Sequence, residues 1–372
     1  MTSSLKVIPF FDYPRAFLDE REALLKIFDD VGHRGAFIMQ QDLRDFELAL
    51  ASYTGANYAI GVANATDGLE LAWMAIGLRN GDEVICCSHT MLATAASIKL
   101  AGGIPVPVEL GDDNLIDPDA VEAAINPRTV GIMPTQLNGR TCDMDRIMNI
   151  ANKYRLFVVE DAAQALGSTF KGKHAGTFGN ASAISFFPAK VLGCLGDGGA
   201  VLTNDHTTFD KIYQLHDHGR DLNGVVKSWG RNSRLDNLQA AILSHRLTNY
   251  TNVIQRRRAI ASLYQERLGD LHELQLPPSP EANSDHFDIY QNYELQADKR
   301  DHLKDHLRAN GIGTLVQWGG KAVHQWERLG FTVKLPKTEL FFERCIMLPI
   351  NMFISNEDVN YVCDQAIAFY RG

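Results

Sequence analysis

The chain has 372 residues, 45% hydrophobic and 22% charged, which suits a soluble globular protein with one large core and room for a smaller second unit. A formal net charge of −9 argues against a general affinity for nucleic acid, although a local basic pocket for a diphosphate stays possible. No apolar run approaches the roughly 20 residues of a membrane span, and the opening MTSSLKVIPFFDY lacks a signal-peptide core, so the sequence reads as cytoplasmic with no membrane partner.

Val7 to Tyr13 reads as an extended arm, and Arg15 to Val31 has helical spacing through Phe17, Leu24, Leu25 and Phe28. Gln41 to Tyr53 is a second amphipathic helix with Gly55 as its stop signal. The strand Tyr58 to Val62 runs into Asn64, Ala65, Thr66, Asp67 and Gly68, which open a helix through Ile76. A strand, a small polar turn and a helix N-terminus together form an anion site, because free amides and the helix dipole both favour negative charge. A plain N-cap at Asn64 or Thr66 is the competing reading.

Glu83 to Cys87 is a further strand, followed by a loop and helix in SHTMLATAASIKLAGG. Ile104 to Val108 and Thr129 to Pro134 read as strands, with helices at Asp117 to Ile125 and Met144 to Tyr154 between and after them. This alternation is the signature of a parallel, doubly wound sheet.

The central stretch is Phe157 to Val201. Its apolar start, Leu156 to Val159, reads as a buried strand ending in two acids, Glu160 and Asp161, where open α/β sheets place ligands. A second strand, Ala181 to Phe187, leads through Pro188 to Lys190 and a glycine-rich loop, Gly193 to Gly199. A lysine among apolar and glycine neighbours is poorly solvated, so its neutral amine is accessible and can form a Schiff base. Ala200 to Thr203 completes a strand, and Phe209 to His216 is helical.

Leu235 to Leu268 has helical spacing over an unusual length, with a break expected near Asn249. The division into domains is placed there, 1–248 and 249–372, the second holding a strand at Tyr290 to Leu295 and helices at Lys299 to Asn310, Glu339 to Arg344 and Asn356 to Tyr370 around the strand-like Met347 to Pro349. Six scattered cysteines, with no CxxC pair or metal-ligand cluster, read as reduced packing residues; Cys194, close to Lys190, is the one candidate for reactivity.

Asp161, Gln164, Ser185 and Lys190 within SFFPAK, followed by GDGG, resemble the DegT/DnrJ/EryC1/StrS family of sugar aminotransferases, fold-type I enzymes that carry pyridoxal 5′-phosphate. The resemblance runs from IPFFDY to about Leu247 and continues more weakly beyond. It implies an α/β fold with a mostly parallel central sheet flanked by helices and a smaller C-terminal α+β domain.

It also implies roles. Lys190 holds the cofactor as a Schiff base and carries protons, Asp161 partners the pyridine nitrogen with Glu160 as the competing acid, and Gln164 lies near O3′ or the ring face. Ala65, Thr66 and Ser185 bind the phosphate, and Asn232 reaches it from the other subunit of a homodimer, unless it merely caps the helix near Leu235. Arg234 and Asp236 read as a structural pair. The residue after the loop threonine is usually aromatic and stacks on the ring. Here it is Met91, so either its thioether covers the ring or His89 takes that face. His324, in WGGKAVHQW where the family is proline-rich, occupies the position that faces the sugar.

The implied activity is transfer of an amino group, with L-glutamate as the expected donor, to a nucleotide-linked 6-deoxy keto sugar through pyridoxamine 5′-phosphate, in amino-sugar biosynthesis for lipopolysaccharide, O-antigen or a glycosylated metabolite. A sugar dehydratase of the same family is the runner-up, although its relatives carry histidine at the lysine position. A non-catalytic regulatory protein on this fold is the third reading.

Overall fold

The computed structural model describes residues 6–372. The leaderless reading of MTSSL falls on residues 1–5 and lies outside them.

Seven strands form the main sheet: β1 (Tyr58–Val62), β2 (Glu83–Cys87), β3 (Ile104–Val108), β4 (Thr129–Met133), β5 (Phe157–Asp161), β6 (Ala181–Ser185) and β7 (Gly199–Thr203). Their order is β1-β7-β6-β5-β4-β2-β3. The pairs β2–β3, β2–β4, β4–β5 and β5–β6 are parallel, whereas β7 runs antiparallel to both neighbours, β1 and β6. The sheet is therefore mostly parallel with one reversed strand. The reversal goes with its connection: residues 186–198, the glycine-rich loop included, contain no helix, the usual vehicle of a parallel crossover.

Six strands share one direction, so the carboxyl ends of β1, β2, β4, β5 and β6 and the start of β7 lie along one edge. The helix Ala65–Ile76 covers the sheet and is buried on most of its circumference, at Leu69, Leu71, Ala72 and Trp73 among others. Each such aliphatic side chain contributes about 1.5–3 kcal/mol on leaving water. Trp73 also donates its indole N–H to Met133 Sδ on β4, at 3.3 Å.

The expected long helix is two, Asn237–Leu247 and Tyr250–Leu268, broken at Thr248–Asn249. Beyond the break a three-stranded antiparallel sheet has Tyr293–Ala297 at its centre, flanked by Leu274–Gln275 and Cys345–Leu348. Its core includes Tyr264, Tyr293, Leu307, Ile346 and Val362, packed by Arg300–Ala309 and Asn356–Arg371.

Contacts cross between the N- and C-terminal parts. Ile8 of the N-terminal arm lies in the C-terminal core, where its N–H donates to Gly311 C=O at 2.8 Å and its C=O accepts from Gly313 N–H at 2.8 Å. Conversely, Ala322, Phe341 and Phe342 pack into the core around β2 and β4. The strand expected at Tyr290 to Leu295 begins only at Tyr293, because Tyr290, Gln291 and Asn292 bond elsewhere.

Candidate active site

The two acids that end β5 face opposite environments, as alternate residues of a strand must. Glu160 is fully buried and accepts four hydrogen bonds: from Phe178 N–H at 2.7 Å, Gly179 N–H at 2.8 Å, Gly176 N–H at 2.7 Å and Gln136 Nε2 at 2.8 Å. Burial raises its pKa against those donors, and every lone-pair direction is spent on holding the turn at 176–179. It is a structural acid.

Asp161 sits on the edge where the strands end. Its Oδ2 accepts from Thr94 Oγ1 at 2.6 Å and its Oδ1 from Ala163 N–H at 3.2 Å. Thr94 is held in turn by Thr90 Oγ1 at 2.6 Å, itself 3.0 Å from Thr135 Oγ1 beside β5. Burial raises the Asp161 pKa, while the Thr94 hydroxyl, the Ala163 amide and the positive charge of Lys190 pull it down. A carboxylate with this much burial and capacity to spare suits a cationic ring N–H.

Lys190 lies five residues beyond Ser185, half-buried, in a loop closed by its own N–H donating to Phe187 C=O at 2.8 Å. Desolvation lowers its pKa to about 8, only partly offset by Asp161. The neutral amine, which a nucleophile requires, is then a minority near physiological pH but far more abundant than for an ordinary lysine. Lys190 also borders a cavity of about 660 Å³ shared with Phe10, Tyr13, Arg246, Asn249 and Arg257. None of Asp161, Ala65, Thr66 and Ser185 lines that cavity.

The anion cradle forms beside them. Asn64 is the N-cap of Ala65–Ile76 and accepts from Asp67 N–H at 2.9 Å. That satisfies one helix-start amide and leaves those of Ala65 and Thr66 for a ligand. The capping and anion-binding readings are thus compatible. Ser185 pairs in register with Gly199, and a β-carbon at Gly199 would lie 2.6 Å from Asn64 C and 2.7 Å from Ala65 N. Only glycine lets β7 start so close to the helix, and its register partner Ser185, whose hydroxyl accepts from Phe187 N–H at 3.3 Å, ends β6 on the same edge. Two amides and a hydroxyl at a positive dipole end fit a phosphate, while Lys190 and Asp161 fit an aldehyde and a ring nitrogen; the residues present therefore fit pyridoxal phosphate.

Gln164 is half-buried, and its Oε1 accepts from Asn138 N–H at 2.9 Å and Asn292 Nδ2 at 3.3 Å, which fixes its orientation. Met91 is 50% exposed and is the N-cap residue of Leu92–Leu100, the helix that carries Thr94. His89 is different. It is packed against Phe341, Phe342 and Trp318, with Nδ1 2.8 Å from Asn114 C=O and Nε2 3.2 Å from Glu294 Oε2. The structure thus sets His89 in a buried aromatic cluster, with Nδ1 hydrogen-bonded and Nε2 beside the Glu294 carboxylate but without a hydrogen bond, and does not bring it together with Asp161 and Lys190.

His324 is likewise buried away from Asp161 and Lys190. Its side chain is 3% exposed, with Nδ1 2.7 Å from Ser88 Oγ and Nε2 3.1 Å from Glu339 Oε1. It ties the end of β2 to the helix Pro336–Arg344 and does not face an open site.

Asn232 is exposed and caps nothing, because the helix starts at Asn237 with Asp236 before it. It sits at the return of an excursion, 218–231, whose Leu222, Val225, Val226 and Trp229 are all exposed, Trp229 by 96%. Arg231 anchors that excursion to the helix Ala65–Ile76 by a two-pronged pair with Glu70 at 2.5 and 2.7 Å. Arg234 pairs with Asp217 at 2.8 Å, and not with Asp236, because Asp217 is bridged to Asn232 alongside it. Cys194 is inert, its thiol pushed up to about 11 by burial.

Thr94, whose hydroxyl bonds Asp161, is a residue of this constellation that sequence reading missed. Thr94 follows Met91 by three residues, and one helical turn brings it back to the same loop; that spacing was the available signal.

The fold and this constellation define a fold-type I, pyridoxal-phosphate-dependent enzyme. The sequence model of the DegT/DnrJ/EryC1/StrS aminotransferase family matches residues 19–366, and the chain belongs to that family. It is 34% identical to a Geobacillus stearothermophilus "pleiotropic regulatory protein", covering 98% of this chain and 99% of that one. It is also 34% identical to the dTDP-3-amino-3,4,6-trideoxy-alpha-D-glucose transaminase of Streptomyces venezuelae, covering 96% and 94%. Among solved structures, S. venezuelae DesV superposes with a TM-score of 0.94 at 34% identity, covering 98% of this chain and 99% of that one. The protein is a sugar aminotransferase that uses pyridoxal 5′-phosphate and its pyridoxamine form.

Proposed function

We propose that the enzyme transfers an amino group from L-glutamate to the keto group of a nucleotide-linked 6-deoxy sugar, in the cytoplasm, for a surface polysaccharide such as O-antigen or for a glycosylated metabolite. The observation that carries this reading is the lysine with a depressed pKa coupled to the buried Asp161 beside a two-amide anion cradle. The nucleotide-sugar transaminases among its relatives support the substrate class.

In this reading Ala65 and Thr66 donate their amides, and Ser185 its hydroxyl, to the cofactor phosphate. Asp161 holds a proton on the ring nitrogen, and Gln164 and Met91 bound the ring. Bound there, pyridoxal phosphate supplies the electron sink that makes the donor Cα–H acidic. Lys190 would hold the cofactor through its amine and, when that amine is free, would take and return the proton at the donor Cα. Thr94 keeps Asp161 oriented during both half-reactions.

The working unit is a homodimer. The exposed apolar excursion 218–231 reaches the second subunit, and Asn232 contacts its phosphate site; the unusual exposure of Trp229 supports this. The two domains meet at 248/249, with the N-terminal arm reaching across.

One relative has a regulatory name, but retention of Lys190, Asp161 and the anion cradle supports catalysis. Purified enzyme incubated with L-glutamate and a panel of dTDP-, UDP- and GDP-linked keto sugars should release 2-oxoglutarate and an amino sugar with one of them. A protein that never becomes yellow with pyridoxal phosphate would refute the reading.

A further inference from the structure

We propose that Gln291 is the positioning residue of Lys190, so that the C-terminal part of the chain sets where the reactive amine stands. This inference rests on Lys190 being the cofactor-bearing lysine.

The loop around Lys190 closes largely on itself. Phe186 N–H donates to Gly198 C=O at 2.8 Å, Lys190 N–H to Phe187 C=O at 2.8 Å, and Cys194 N–H to Phe186 C=O at 2.7 Å. The peptide groups immediately either side of the lysine turn outward, and one side chain takes both. Gln291 Nε2 donates to Ala189 C=O at 2.9 Å, and its Oε1 accepts from Val191 N–H at 2.9 Å. The amide orientation is forced, because the flipped rotamer would set donor against donor and acceptor against acceptor. Used in this way a carboxamide imitates a neighbouring β-strand, and it pins both peptide planes that meet at the lysine Cα.

Gln291 is itself held. It is 5% exposed, and its carbonyl accepts from Arg257 Nη2 at 2.7 Å. Arg257 Nε donates to the carbonyl of Tyr290 at 2.8 Å. Tyr290 adopts a left-handed φ of 52°, a conformation that a bulky residue keeps only when its surroundings fix it. Arg257 is buried with no ion pair among the described residues, and desolvation lowers its pKa to about 10, so it remains a cation spent on these two carbonyls. On the other side Asn292 Nδ2 reaches Asn138 Oδ1 at 2.8 Å and Gln164 Oε1 at 3.3 Å. Three consecutive residues thus hold the lysine loop and the glutamine expected beside the ring.

The test is Gln291→Met, which keeps length and removes both bonds. In the cofactor-free protein, the Val191 amide should exchange with deuterium at least about tenfold faster while amides of β5 stay unchanged. In the loaded protein, kcat should fall at least about tenfold with KM for either substrate changed less than about threefold, since small displacements of a reacting group act on the chemical step. Unchanged Val191 exchange together with unchanged kcat would overturn the proposal.

Should that variant not fold, Gln291→Glu decides. It keeps the acceptor, loses the donor and sets a carboxylate beside Lys190, so the pH titration of the bound cofactor's visible absorbance should move upward by about one unit; a titration identical to the parent's overturns the proposal. Borohydride fixation in the parent protein separates the two levels. No adduct at Lys190 would sink the lysine assignment itself, whereas an adduct there with undisturbed variants sinks only the role of Gln291.

Discussion

Replacing Glu160 by glutamine removes a charge and turns one acceptor oxygen into a donor amide. Each carboxylate oxygen accepts two hydrogen bonds, one pair from Phe178 and Gly179, the other from Gly176 and Gln136. Whichever way the new amide points, two donors face its NH₂ group unsatisfied, and the other two lose their charge assistance. At about 1–3 kcal/mol for each stranded buried donor, the loss is about 3–5 kcal/mol. With an unfolding entropy of about 2.1 cal/mol/K per residue, this chain would melt about 4–6 °C lower.

Asp161→Asn is the matched control. It keeps the acceptor for Thr94 and disturbs only the 3.2 Å contact with Ala163, so stability should change by about 1 kcal/mol or less. Turnover should fall at least about a hundredfold, as the ring nitrogen loses its anionic partner. Calorimetry of the cofactor-free proteins and steady-state kinetics of the loaded ones measure the two effects. If Glu160→Gln melted with the parent yet lost turnover, or if Asp161→Asn kept full activity, the division of labour would be wrong.

Lys190→Met should abolish turnover and borohydride-fixed cofactor, and should also stabilise the cofactor-free protein. The folded pKa of about 8 lies below the unfolded value of 10.5, so the charged lysine costs stability in full below pH 8, and the cost fades as pH rises towards 10.5. A gain of about 1–3 kcal/mol at pH 7, discounted for partial solvent access, should therefore shrink to nothing near pH 10.5 in denaturant titrations; a gain that grew with pH would contradict the depressed pKa. Gly199→Ala drives a methyl into Asn64 and Ala65 and should destabilise by about 1–3 kcal/mol while weakening cofactor retention on dialysis; undiminished retention would remove the cradle from the phosphate site. Trp229→Asp should give a monomer by light scattering, and Asn232→Ala a dimer that loses cofactor faster. A fully active monomer would refute the shared site.

The sheet and the principal site residues were legible because local sequence determines them. β1, β2 and β3 fall where the apolar β-branched runs stand, and the anion cradle, Asp161 and Lys190 each lie within a few residues of a strand end. The reversed β7 was hidden because a short apolar strand reads the same in either direction; only the lack of a helix in the 186–198 connection hints at it. The break in the long helix was legible near Asn249, but its start was not, since Asn237 is fixed by a buried contact to Leu43 N–H at 2.9 Å, 194 residues away.

The same distinction explains the two histidines. His324 stands at a position that faces the sugar in the resembled family, His89 was an alternative to Met91 over the ring, and nothing within a few residues of either decides its place. What holds them where the structure places them is remote: Glu294 and Phe341 for His89, Ser88 and Glu339 for His324. Gln291 is the converse, an unremarked residue that becomes important because the fold carries it across 100 positions to the peptide beside Lys190. Substrate chemistry in such a fold is written locally in the strand ends, whereas the precision with which the amine is held comes from side chains that arrive from the other end of the chain. Substitutions in 290–292 should consequently act on kcat before they act on cofactor binding, and substitutions in 64–66 in the reverse order.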